Sequence, residues 1–119
     1  MNFTDLKIWK EGNRLAVEVY KITKLFPKSE IFGTVSQLRR ASSSISANIA
    51  EGFGRKGSKE FVQYLHQAKG SLYETQNFIL LCQYIGYIEK PIATNILNQY
   101  ESLAKMLNSF ISKVKYNNV

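Results

Sequence analysis

The sequence predicts an all-α protein, an antiparallel up-and-down four-helix bundle, with residues 1–119 forming one domain. Three observations predict it. Apolar residues recur at alternating spacings of three and four in four successive segments, which is the period of a helix with one buried face. Only 2 Pro occur, and the breaks between segments are short, so neighbouring helices must run antiparallel. No segment alternates as a half-buried strand does. A chain of 119 residues with 45% hydrophobic residues, 7 Phe and 7 Tyr among them, holds enough apolar mass for a core without staples.

Four helices are predicted near residues 5–26, 30–54, 58–86 and 91–115. The first follows Thr4-Asp5 as an N-cap, with a stripe of Ile8, Gly12, Leu15, Val19, Ile22 and Phe26 widened by Trp9, Ala16 and Tyr20. Pro27 stops it, because the residue before proline is driven from the α region. Ser29-Glu30 opens the second, whose stripe is Ile31, Val35, Leu38, Ser42, Ile45 and Ile49, closed by Gly52, Gly54 and Gly57. Ser58 caps the third, with Glu60 set well against the helix dipole. Its stripe, Phe61, Leu65, Ala68, Leu72, Thr75, Ile79 and Cys82, runs to Gly86, a natural C-terminal stop. Pro91 suits a first helical turn. Ile92, Ile96, Leu103, Leu107, Phe110 and Val114 form the fourth stripe.

Two features exceed the needs of a monomer. Helix three carries Tyr64, Tyr73, Leu80, Leu81, Tyr84 and Ile85 outside its stripe, and a helix apolar on several sides is buried on several sides. Helix two presents Ser36, Ser43, Ala47 and Ala50 along one edge, which leaves room for a close helix neighbour. Beside that edge run Gln37, Arg40, Ser44, Asn48, Glu51 and Arg55. Asn and Ser mid-helix lower local stability, so this row reads either as a solvated face or as a contact surface. Ser36, Ser43, Ala47, Asn48, Glu51, Tyr73, Leu80 and Tyr84 are accordingly the candidate interface of a homo-oligomer. The alternative is that the tyrosines are partly buried rings with hydroxyls in water.

The formal net charge is +7, from 16 Lys and Arg against 9 Asp and Glu. That balance points to a polyanion partner or to a basic, soluble surface. Cys82 is the only cysteine, which suits a reducing compartment. The N-terminus lacks the pattern of a signal peptide, and no apolar run is long enough to span a bilayer. A cytoplasmic protein without membrane contact is expected.

No catalytic, metal or cofactor-binding residues are expected, nor a small-molecule substrate. His66 and Cys82 are sixteen residues apart on one predicted helix, about 24 Å, so they form no dyad within a chain. Residues 52–57 spell GxGxxG, but a dinucleotide fingerprint must follow a strand, and none is predicted. The segment reads as an interhelix turn, or as a turn whose amides, with Arg55, Lys56 and Lys59, hold a phosphate.

Several blocks carry a resemblance: Phe3-x-Asp5-Leu6-x-Ile8-Trp9, Phe26-Pro27-Lys28-x-Glu30-x-Phe32-Gly33, the run QLRRASSSISANIAEGFGR at 37–55, Gly70-Ser71-Leu72-x-Glu74, and Leu81-x-x-x-Ile85-Gly86-Tyr87-Ile88. The chain resembles the bacterial four helix bundle proteins, first noted as reading frames within intervening sequences of 23S ribosomal RNA genes. It is similar, too, to the accessory variability determinant of diversity-generating retroelements. The resemblance implies a short bundle that assembles into a ring, typically a pentamer, with no catalytic residues and with nucleic acid as a partner. The expected function is therefore a non-catalytic homo-oligomeric basic scaffold that binds RNA or DNA. Arg39, Arg40, Arg55, Lys56 and Lys59 would contact phosphates, and Tyr64 or Phe53 would stack on bases. The alternative is an interaction module that docks an acidic protein partner.

Overall fold

The computed structural model describes residues 1–117. Four α-helices make up the fold: α1 (Lys7–Thr23), α2 (Thr34–Phe53), α3 (Ser58–Ile85) and α4 (Lys90–Asn117), with 3-10 turns at Phe3–Asp5 and Lys28–Glu30. A helix of 28 residues is about 42 Å long, so the helices lie along the 49 Å axis of a body 24 by 20 Å across. Contacts fix their directions. Gly12 meets Ile45 while Thr23 meets Arg39. Gly52 meets Tyr64 while Arg40 meets Glu74. As one partner's number rises the other's falls, so these neighbours are antiparallel. Each helix packs on its neighbours in sequence, α1 closes on α4, and the diagonal pairs stay apart.

The core is the continuous layer that the stripes predict. Leu15, Val19, Leu38, Ile45, Ile49, Leu65, Leu72, Ile79, Leu103 and Leu107 are fully buried, with Cys82 among them. Tyr100 is also fully buried, and its hydroxyl finds no hydrogen-bond partner among the described residues. Burial pushes that hydroxyl's pKa well above the ordinary range. The polar run of α2 is satisfied by its own helix. Ser42, Ser43, Ser44 and Ser46 donate to carbonyls three or four residues back, and Asn48 Nδ2 donates to Ser44 O at 2.9 Å.

Three helix limits differ from the sequence expectation. Thr4-Asp5 does not cap α1. Asn2 caps the separate turn Phe3–Asp5, and Leu6 then extends so that its side chain is buried in the core. α1 ends at Thr23 rather than near residue 26, because the chain tightens ahead of Pro27. Leu25 and Phe26 then donate to carbonyls three residues back, and the Phe26 ring turns onto Tyr87 at 5.3 Å. α2 starts at Thr34, not near 30. Glu30 acts from outside, its Oε1 accepting from Thr34 N at 3.2 Å and Thr34 Oγ1 at 2.9 Å. Its Oε2 accepts from Tyr87 Oη at 3.3 Å. Ile31, placed in the α2 stripe by spacing, therefore lies in the connection and is exposed. In α4 Ala93 takes the buried position and Ile92 faces out. Phe61 and Phe110 lie at the edge of the core, half-buried and edge-to-face at 5.8 Å, and Tyr20 is exposed.

Helix α2 sits tight against both neighbours. A Cβ added at Gly52 would lie 2.6 Å from Tyr64 Cβ and 2.9 Å from Phe61 Cδ1. Alanine normally gains about 1 kcal/mol over glycine in a helix. Here overpacking, typically about 1–3 kcal/mol, outweighs it. Gly52→Ala is expected to lower the urea midpoint, and an unchanged or higher midpoint would contradict the close approach. The Glu30 carboxylate is held below its usual pKa, chiefly by the Thr34 backbone amide and then by the Thr34 hydroxyl. A depressed carboxylate stabilises the fold above its unfolded pKa and loses that effect as pH falls through its folded pKa. Glu30→Gln should therefore be less stable than the parent at neutral pH, and the gap should close towards about pH 3. Denaturant midpoints over a pH series read this directly.

Candidate functional site

The three arginines singled out by sequence are all engaged. Arg39 Nε donates to Thr23 Oγ1 at 2.9 Å, and its guanidinium lies over the Tyr20 ring, 4.5 Å from the centroid. Arg40 pairs with Glu74 of α3 at 2.8 Å and donates to Gln37 Oε1. Arg55 pairs with Glu51 at 3.2 Å, donates to Tyr64 Oη at 2.7 Å and lies over that ring. Tyr64 is thus occupied by an arginine, and Phe53 packs edge-on against Phe61 at 6.2 Å. Arg39 and Arg40 stand about 20 Å along α2 from its end at Phe53 at 1.5 Å per residue, and Arg55 lies just beyond that end. The five basic residues accordingly occupy two places rather than one.

Lys56 and Lys59 lie at the α2–α3 end of the bundle, where Gly57 turns the chain with φ 86°. Among the described residues neither has a carboxylate within 4.0 Å. Beside them a groove of about 450 Å³ brings together Ser58, Lys59, Gln63, His66 and Lys115. A second groove at the same end, between α1 and α4, is lined by Lys7, Lys105 and Lys113. Spacing hides these lysines, because they come from the first turn of α1, the start of α3 and the last turns of α4. Only the antiparallel topology gathers them.

Of the candidate interface residues, Ser36, Ala47, Glu51, Tyr73, Leu80 and Tyr84 are exposed, and Ser43 and Asn48 are half-buried. Between α1 and α2, Asn13, Ala16, Val17, Tyr20, Ser43 and Ser46 line a shallow groove of about 380 Å³. On α3 the exposed residues Tyr73, Leu80 and Tyr84 form a ridge on one helix face. Gly70 stands one turn before Tyr73 on that ridge, and a Cβ there would meet nothing within 4 Å. Its signal in the sequence is a glycine inside an otherwise strong helix. At the other end of the bundle Leu25, Ile31, Phe32, Ile85 and Ile92 are exposed, Phe32 to 94%.

Among the described residues no three His, Cys, Asp or Glu side chains gather as a metal site would require, and no helix is long and apolar enough to cross a membrane. Burial raises the Cys82 thiol pKa, and His66 lies on the surface beside Lys59 and Lys115.

These features define a small helical-bundle protein with a basic end and unpartnered outer faces. The chain belongs to the 23S rRNA-intervening sequence protein family, whose model matches residues 4–109. Among solved structures it is similar to a protein of unknown function from the S23 ribosomal protein family of Bacteroides thetaiotaomicron. That chain is 25% identical, with a TM-score of 0.78, and the match covers 87% of this chain and 97% of the other. No curated protein matches.

Proposed function

We propose that this protein is a non-catalytic, self-associating basic scaffold that binds RNA or other nucleic acid through the end of the bundle bearing Lys56, Lys59 and Lys115. One observation carries the reading: these ammonium groups gather at one end without a carboxylate partner among the described residues, whereas Arg39, Arg40 and Arg55 are already engaged. Free cations can exchange their counterions for phosphates, and the released counterions drive binding. Ser58 and the first turn of α3 add a hydroxyl and the positive end of a helix dipole.

The shape of the chain supports self-association. The α3 ridge of Tyr73, Leu80 and Tyr84 and the α1–α2 groove lined by Ala16, Val17, Ser43 and Ser46 lie on different faces of one chain. Ridge into groove is a head-to-tail arrangement, which closes as a ring when the rotation allows. The family resemblance supports five members for such a ring. Gly70 supports this reading. A mid-helix glycine costs about 1 kcal/mol against alanine, and nothing inside the chain requires it, so the space it leaves suits a neighbouring copy.

A second reading, docking of a protein partner with an acidic rim, is favoured by the other end, where Leu25, Phe32 and Tyr84 are exposed among Lys24, Lys28 and Lys90.

Two experiments test the proposal. Binding to single-stranded RNA, measured against salt, should give a straight log–log plot. Replacing Lys56, Lys59 and Lys115 by Ala should flatten its slope by about 2, at about 0.7 for each phosphate no longer neutralised. Arg39→Ala should instead reduce stability and leave the slope alone. Absence of RNA and DNA binding at low salt would favour the protein-partner reading. For assembly, light scattering should show a mass near five chains at micromolar concentration. Gly70→Ala should then stabilise the folded chain to denaturant while weakening the oligomer, and a monomer throughout would refute the ring.

A further inference from the structure

We infer that the groove between the first turn of α1 and the second half of α4 binds a small amphipathic anion, a medium-chain acyl carboxylate. Its chain would lie on Ile8, Met106 and Phe110, and its head among Lys7, Lys105 and Lys113. The groove holds about 390 Å³, within the range of ligand sites, about 300–1,000 Å³. Its floor is apolar and partly rigid. Ile8 is buried, and Phe110 is fixed edge-on by Phe61 at 5.8 Å, itself backed by Phe53. Met106 supplies the adaptable part, since an unbranched thioether repacks at little cost.

The rim has a single sign. Lys7, Lys105 and Lys113 have no carboxylate within 4.0 Å among the described residues. Glu11 stands one turn from Lys7, but its two oxygens accept from Arg14 Nε at 2.7 Å and Arg14 Nη2 at 2.9 Å. Helix α1 also begins at this groove without a side-chain cap, so its dipole adds to the positive field. Ser109 contributes a hydroxyl.

Floor and rim together select the ligand class. A neutral apolar molecule would leave three cations unanswered, and a bare phosphate would leave the floor wet. An acyl carboxylate answers both, and the stems of the lysines extend the apolar wall. The inference stands apart from the nucleic-acid reading, because Lys56, Lys59 and Lys115 do not line this groove.

The test is calorimetric titration of the full chain with decanoate below its micelle-forming concentration, with decanol as the uncharged control. Methyl NMR of Ile8 and Met106 locates the site. Saturable decanoate binding that shifts both methyls is expected, with decanol weaker by about tenfold or more. Lys105→Glu with Lys113→Glu should weaken decanoate by a similar factor. Both residues are exposed, so circular dichroism should be unchanged. The double Gln variant, which removes charge without reversing it, should weaken binding less and in the same direction. Equal affinity for decanol, the absence of saturable binding, or charge variants that bind as the parent does would each overturn the inference.

Discussion

Helix α2 is held at close quarters on both sides, and the rest of the bundle arranges itself around that constraint. Gly12 lets Ile45 and Ser46 of α2 approach α1, and Gly52 lets Tyr64 and Phe61 of α3 approach α2. Dispersion between so many atoms at short range favours these two seams. The α1–α4 seam is looser. It carries grooves at both ends, one lined by Lys7, Met106 and Phe110 and the other by Ile22, Ile92 and Gln99. Arg14 bridges the span between them by donating to Gln99 Oε1 at 2.7 Å. The two tight seams lie where the sequence places Gly12 and Gly52.

The helices and their order were legible because each stripe repeats over several turns, and burial of Leu15, Ile45, Leu72 and Leu107 is the direct consequence of that period. The limits were less legible, for local reasons. Glu30 looks like a first-turn acid, yet it acts from four residues before Thr34 as an external cap. Ile31 has the right spacing for the core but belongs to a connection whose path Pro27 and Glu30 dictate. Ala93 rather than Ile92 continues the buried stripe of Ile96, Tyr100 and Leu103 by spacings of three and four. Tyr100 was not singled out, since a tyrosine without a partner for its hydroxyl is an uncommon core residue.

Charge was legible as a total and not as a pattern. The net +7 is a sum over groups in different situations. Arg39, Arg40 and Arg55 sit in a conspicuous block of sequence, yet each is bound to a neighbour that fixes a helix end or a seam. The uncommitted lysines are scattered along the chain and meet only when three helices end together. A planar guanidinium suits multidentate structural contacts, while a hydrated ammonium on a flexible stem suits exposed positions. The division between structural arginines and free lysines here follows that chemistry. The serine run of α2 has a similar logic, since its hydroxyls bond to their own helix and so leave a smooth, narrow edge.

Cys82 is sealed in the core between the end of α3 and the start of α2, with burial raising its thiol pKa. A thiol reagent can reach it only when the bundle opens there, and it is the only cysteine in the sequence. The protein thus carries an internal gauge of its own breathing: the rate of alkylation at Cys82 measures how often α3 parts from α2. Because the chromophore or label would attach at one known position, that gauge can be read in whatever assembly the bundle joins, without altering a single residue.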